Sequence, residues 1–358
     1  MNEVDEAAED LFDQDEEENL ERVLARVKRL GSVWALEGAD RVQGGRVDGW
    51  ETVVPLTYQP GDLGVFFEID SVLPRHDEWV INANLADAKY IKTRKIRGML
   101  SQGLFLRMDQ LPAHVHDKPE GDNVTALLNV TKHAATPQIE AGPQRVRATT
   151  AGSYSKVLPL GPPKTDEIRI QSEPRLLAQL AGRPWVASLK LDGSSMTFFH
   201  DVASGALVLL SRNLLVTDPK TVYGRVAADY AFASKVARAP AGCVFQGEVY
   251  GPRIQANPLN VNRLTFAVFS VWCDGKYLGH DEYRALCKDL ELPVVPEIAR
   301  GDAFDLNQAQ LLELAKGKYA DTKNHREGLV IRNLDQGRRV SFKVINNDYL
   351  LKKASADK

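Results

Sequence analysis

Val186-Ala187-Ser188-Leu189-Lys190-Leu191-Asp192-Gly193-Ser194-Ser195 is the stretch on which the fold reading turns. An apolar, β-prone run ends in a lysine, an aspartate and a glycine. Alone, a lysine, a spacer and Asp-Gly is a weak signal; many surface turns have it. Four segments further along change its weight. They are Ser211-Arg212-Asn213, the strand-like Val244-Phe245-Gln246-Gly247-Glu248-Val249-Tyr250-Gly251, the aromatic run Phe266-Ala267-Val268-Phe269-Ser270-Val271-Trp272, and Glu327-Gly328-Leu329-Val330-Ile331-Arg332 followed by Val340-Ser341-Phe342-Lys343-Val344. Carboxylates inside apolar strands are costly unless something cationic meets them. Glu248 and Glu327 therefore require a partner, structural or functional.

The surrounding pattern divides the chain. Residues 1–21 hold eleven of the 48 acidic side chains and no basic one, which describes a solvated, disordered tail. The remainder carries 45 basic against 37 acidic side chains, net +8, a mild footprint of a polyanion partner. Residues 22–135 read as short strands: Val53-Val54-Pro55-Leu56, then Gly61-Asp62 and Leu63 to Asp70, with Gly38, Gly44, Gly45 and Gly49 as punctuation. That spacing suits a small closed barrel. Leu20-Val23-Leu24-Val27-Leu30 fits a helix or the start of the β region. Pro112, Pro119, Pro137 and Pro143 mark a connection running to about 150. From 151 to 358 an α/β unit is expected. Its strands fall at 185–191, 206–212, 243–249, 264–272, 328–333 and 339–345, its helices near 217–237, 281–289 and 305–316. Cys243, Cys273 and Cys287 lie far apart with no zinc-ligand spacing, and read as buried thiols in a reducing compartment. His114 and His116 have no third ligand nearby. No apolar run approaches a membrane span and no secretory signal opens the chain, so the reading is an intracellular, cytoplasmic protein, with organelle and nucleus left open.

The ordered set from Lys190 to Lys343 resembles the motifs of the covalent lysyl-nucleotidyltransferases, the polynucleotide ligases and mRNA capping enzymes. Fifteen residues follow Lys343, too few for the C-terminal barrel of DNA ligases and capping enzymes, and the β-rich module comes first. Leu36 to Asp40, Val47 to Trp50, Tyr90 to Gly98 with Leu100 to Gly103, and Pro163 to Glu167 with Arg169-Ile170-Gln171 resemble ATP-dependent RNA ligases that carry an N-terminal OB module. The resemblance implies an α+β protein, an OB-like barrel followed by an ATP-grasp-like adenylyltransferase domain. It acts as a monomer on RNA or RNA-containing duplex ends, with ATP and Mg²⁺ or Mn²⁺.

Roles follow position by position. The resemblance makes Lys190 the nucleophile that carries AMP. A lysine amine is protonated near its reference pKa of ~10.4, so burial, a neighbouring Lys343 or a metal has to lower it. The resemblance gives Arg212 and Asn213 to the phosphate and ribose, Glu248 to the ribose or a metal, and Phe269 to adenine stacking, with Phe266 as the alternative. It gives Asp192 and Glu327 to the metal, Gly193 to the nucleotide side and Lys343 to the α-phosphate. Lys92, Arg94, Lys95, Arg97, Lys164 and Arg169 are expected to meet nucleic acid; strand alternation puts 92 and 94 on one face, 95 and 97 on the other. The last motif departs from relatives with two lysines, since Ser341 occupies the first place. Two other readings stay open: a GTP-using capping-type enzyme, and a non-catalytic OB-fold nucleic-acid binder.

Overall fold

The structure is a computed structural model and describes residues 22–133, 154–155, 166–212 and 214–356. The chain divides into two compact units after His133. The acidic tail, Lys164 and Asn213 lie outside the described residues.

The first unit is built from short antiparallel strands: β1 (Ala25–Arg29), β2 (Val33–Trp34), β3 (Val42–Val47), β4 (Trp50–Pro55), β5 (Leu63–Phe67), β6 (Ser71–Val72), β7 (Arg94–Ile96), β8 (Met99–Ser101), β9 (Leu104–Arg107) and β10 (Thr131–Lys132), with one short helix, α1 (Glu78–Asn82). The ambiguous start resolves as strand, β1 pairing with β5. Strand β5 shows why so small a module holds together. Side chains alternate across a strand, so Val65 and Phe67 enter one core with Val27 and Leu106, while Phe66 enters a second with Trp50 and Phe105. The wall is a set of small sheets rather than one ladder; the Gln102 N–H donates to the Glu51 carbonyl to tie β4 to the β8–β9 turn.

The second unit contains two antiparallel sheets. After β11 (Tyr154–Ser155) and α2 (Arg175–Leu180) come β12 (Trp185–Lys190), β13 (Ser194–Asp201), β14 (Ala206–Ser211), β15 (Leu215–Val216), helices α3 (Val222–Asp229) and α4 (Phe232–Val236), β16 (Val244–Tyr250), β17 (Thr265–Cys273) and β18 (Lys276–Tyr277). Then follow α5 (His280–Asp289), β19 (Glu297–Gly301), α6 (Gln308–Ala315), β20 (Gly328–Asn333), β21 (Ser341–Ile345) and α7 (Asn347–Ala356). The seven-stranded sheet runs β11-β15-β14-β13-β16-β17-β18 and the four-stranded sheet β19-β12-β20-β21. Phe198, Phe245 and Phe266 of the larger sheet pack under Phe232 and Val236 of α4 and Val226 of α3. Ala187, Leu329 and Phe342 of the smaller sheet pack under α2 and α6.

All six expected strands of this unit are present within two residues. The single helix expected over 217–237 is instead two, because Ala231 between them has φ 54°, which ends an α-helix. Strand β13 was missed by the sequence reading although Met196 and Phe198 point inward with period two. The cysteine expectation is corrected: Cys243 and Cys273 form a disulfide, and only Cys287 remains a buried thiol. The pairing follows from register, since Val244 opposite Trp272 makes Cys243 and Cys273 the next pair. No spacing rule could have found it.

Candidate active site

Leu191, Asp192 and Gly193 carry the chain from the small sheet to the large one: Lys190 ends β12, and Ser194 begins β13. Two registers then bring distant carboxylates to this crossing. Lys190 lies opposite Gly328, next to Glu327, and Ser195 lies opposite Glu248. Gly193 is required for the close approach. A Cβ there would run into the Val249 carbonyl and the Glu248 side chain, and its N–H bonds the Glu248 carboxylate.

The Lys190 Nζ donates to Glu327 Oε2 at 2.9 Å, with both side chains largely buried. Burial alone would lower the amine's pKa, but Glu327, Glu248 and Asp192 outweigh it and raise it. In the free protein three carboxylates thus outweigh the apolar strand end; the lowering expected for Lys190 was for the amine facing a metal–ATP complex. Glu248 bears the consequence. Burial, then Glu327 and Asp192 against the opposing pull of Lys190, push its carboxyl up to about 8. Burial and Glu327 raise Asp192 as well. The second lysine behaves oppositely. Burial, Lys190 and Arg169 lower Lys343 to about 7.

Lys343 gives a stability prediction with a definite sign. Its folded pKa lies below the unfolded value of ~10.4, so between those pH values the unfolded chain binds the extra proton. Stability therefore rises with pH across that window, and the charging penalty is fully present below about pH 7. Lys343→Met should raise the melting temperature at pH 6 by several degrees relative to wild type and leave it nearly unchanged above pH 10. An equal effect at both pH values in a thermal denaturation series would contradict the buried amine.

Two tyrosines that the sequence reading missed order this crossing. The Tyr319 hydroxyl donates to the Lys190 carbonyl and accepts from the Asp192 and Glu327 N–H groups, each at 3.1 Å. The Tyr349 hydroxyl, on α7, donates to Asp192 Oδ2 at 2.8 Å. Nothing local in the sequence marks either residue. Arg332 performs a similar task behind Phe269: it pairs with buried Glu167 at 2.9 Å, bonds Ser341 Oγ and donates to the Phe269 carbonyl. Ser341, at the expected lysine place, thus serves that network.

The other expected residues separate. Phe269 is half-buried beside Leu191 and Tyr319, at the crossing. Phe266 is fully buried in the large-sheet core, so the alternative stacker is ruled out by packing. Arg212 is exposed and pairs with Asp166 at 2.6 Å. Arg169 sits beside Lys343, joined through backbone bonds of Ile168 and Ile170 to that strand, rather than on a separate surface. Lys92, Arg94, Lys95 and Arg97 are all exposed in the first unit, but strand β7 covers only Arg94–Ile96 and Arg97 is in a turn with φ 49°, so the expected two-face alternation fails. His114 and His116 each meet a separate backbone carbonyl.

The donor set suits a hard divalent cation, since Asp192, Glu248 and Glu327 offer oxygen ligands, with Glu327 close enough to raise the pKa of both Asp192 and Glu248. Their oxygen atoms do not all come within 4.8 Å, so no closed cage exists. That matches Mg²⁺-like binding, which keeps waters and borrows substrate phosphates. The cluster His280, Asp281 and Glu297 is tighter, but Arg300 and Arg284 already neutralise its carboxylates.

A lysine presented at a sheet crossing among carboxylates, with a second, poorly charged lysine beside it, is the arrangement expected of a covalent nucleotidyltransferase. The matches to known families specify which kind. Residues 183–345 match the RNA ligase family model, and residues 24–108 match an OB-fold domain model. The matched segments thus place an OB-fold domain ahead of an RNA ligase domain. It is similar to the Naegleria gruberi RNA ligase over 92% of this chain and 99% of that one, at 27% identity and TM-score 0.77, in a lysine-to-alanine variant with ATP and Mn. A lysine-to-methionine variant of that ligase with AMP and Mn matches at 28% identity and TM-score 0.76, covering 92% and 99% of the two chains. The same ligase with PPi matches at 27% and 0.75, covering 94% and 100%. Among curated protein sequences none matches this chain. No helix of the described residues is long and apolar enough to cross a membrane.

Proposed function

We propose that this RNA ligase stores AMP on Lys190 and uses it to seal a 5′-phosphate to a 3′-hydroxyl at breaks in RNA-containing duplexes. The observation that carries the reading is the Lys190–Glu327 pair at the sheet crossing, with Glu248 and Asp192 beside it. Lys190 Nζ gives up a proton to solvent and attacks the α-phosphorus of ATP. The bond to the bridging oxygen breaks and pyrophosphate leaves. An oxygen of the RNA 5′-phosphate next attacks the lysyl-AMP phosphorus, breaking the P–N bond and returning the amine. The 3′-hydroxyl then attacks the activated 5′-phosphate, and AMP leaves with the electron pair. A bound Mg²⁺ or Mn²⁺ supplies neutralisation of the triphosphate's charge. Asp192, Glu248 and Glu327 would hold that ion, and with their charge so engaged burial would lower the Lys190 pKa.

In this reading Lys343, Arg169 and Arg212 stabilise phosphate charge, Phe269 offers a face to adenine, and Glu248 meets ribose or metal. Lys92, Arg94, Lys95 and Arg97 supply phosphate contacts from the OB unit. The enzyme acts as a monomer inside the cell. ATP and RNA support that placement; the disulfide removes the argument from cysteine.

The test is incubation of purified protein with divalent metal and α-³²P-labelled ATP or GTP, followed by denaturation. Label from ATP on the protein is expected. Label from GTP alone would favour a capping-type enzyme, and label from neither would leave an OB-fold nucleic-acid binder.

A further inference from the structure

Strand β16 leads from Glu248 into a loop, 251–263, that turns back to start β17. Its backbone is unusual. Arg253, Gln255, Asn257 and Asn260 all have positive φ, between 45° and 72°. For arginine and glutamine the left-handed region is unfavourable, and such strain persists only where surrounding contacts fix it. Here they do. Ile254 is fully buried in the core. The Asn257 amide donates to the Val261 carbonyl at 2.8 Å, and Asn324 donates to the Pro258 carbonyl at 2.8 Å. Gln255 reaches the Gly193 carbonyl at 3.4 Å, one residue from Asp192. Gly251 lets the loop close, since a Cβ there would meet the Arg263 carbonyl oxygen at 2.6 Å.

The closed loop and helix α3 border an open hollow of about 300 Å³ lined by Arg225, Arg253, Arg263, Asn262 and Asp229 among others. All three arginines are exposed, and none is in an ion pair among the described residues. That distinguishes them from Arg183, Arg300 and Arg332 of the same unit, which hold Asp335, Asp281 and Glu167. Three exposed guanidiniums against one aspartate leave the rim of the hollow positively charged. Their planar donor forks match phosphate in a bidentate way. No aromatic side chain lines the hollow, so it offers nothing for a base to stack on.

We propose that Arg225, Arg253 and Arg263 form a docking surface for the RNA sugar–phosphate backbone, braced by the loop to the strand crossing that carries Lys190. The inference rests on the chain acting on RNA. It adds a second place of grip, within the ligase unit and separate from the basic residues of the OB unit. Phosphate contacts of this kind hold the strand without reading its sequence.

The test compares wild type with Arg253→Gln/Arg263→Gln and with the charge-keeping Arg253→Lys/Arg263→Lys. A fluorescent nicked RNA duplex is titrated without ATP at several salt concentrations, and labelling by ATP is measured separately without RNA. The glutamine variant should bind the duplex about tenfold or more weakly, and its slope of log K against log salt should fall by about two, one for each phosphate left without its guanidinium. The lysine variant should recover most of the slope. Labelling by ATP should match wild type, which separates RNA phosphates from those of ATP. Unchanged affinity and salt slope in the glutamine variant would overturn the proposal, as would a loss confined to ATP labelling. Failure of wild type to label with ATP would instead count against the adenylylation reading, leaving the RNA titration to judge the hollow.

Discussion

Lys190→Arg should produce a folded protein that takes no label from ATP, a loss of at least ~10⁴-fold, the scale seen when a covalent nucleophile is removed. Arginine is the informative replacement. It keeps a positive charge to meet Glu327, which Lys190 holds at 2.9 Å, so the three carboxylates at this crossing are not left without a cation. It is never deprotonated in proteins, and so has no lone pair to offer a phosphorus. The same variant should still join an RNA strand whose 5′ end already carries AMP, because that step uses the 3′-hydroxyl as nucleophile and returns AMP without passing through the lysine. Measuring both steps on one preparation distinguishes chemistry from folding. Full ATP labelling of the variant would place the nucleophile elsewhere. Loss of both activities with an unchanged melting temperature would give Lys190 a further part in the final joining.

Tyr319→Phe should lower the rate of lysyl-AMP formation by about 10- to 100-fold while changing the KM for ATP much less. A phenol has one proton and two lone pairs, and Tyr319 uses all three: Lys190 carbonyl, Asp192 N–H and Glu327 N–H. Burial raises its pKa, which keeps the hydroxyl neutral and able to donate. Phenylalanine fills the same space and leaves two donors and one acceptor without that partner, at about 1–3 kcal/mol for each that stays buried. The chain can accept that penalty as lost stability or shift the backbone of the three residues. Because the nucleophile and both flanking carboxylates hang on those peptide groups, a shift misaligns attack more than it weakens binding. A rate within twofold of wild type, alongside a melting temperature lowered by several degrees, would show that Tyr319 serves stability alone. Tyr349→Phe should act in the same direction and less strongly, since it frees Asp192 Oδ2 and the exposed Lys353 amine but no backbone group of the crossing.

For this chain the residue types and their order along the sequence were enough for the class. Lys190, Asp192 and Gly193 lie within four residues, and Glu248, Glu327 and Lys343 each sit in an apolar run whose β character is local. The OB-fold and ligase domains followed from the same strand patterns and from the resemblance that the motifs carry. What local sequence could not contain is which strand pairs with which, in what register. Register made Lys190 a neighbour of Glu327, joined Cys243 to Cys273 and sent Phe266 into the core while Phe269 stayed at the crossing. It also determined that three carboxylates, rather than the apolar strand end, control the Lys190 amine. Tyr319 and the arginines of the hollow were illegible for the same reason. A hydroxyl or a guanidinium acquires its role from groups tens of residues away, and electrostatic and hydrogen-bond energies depend on distance through space, not on separation along the chain.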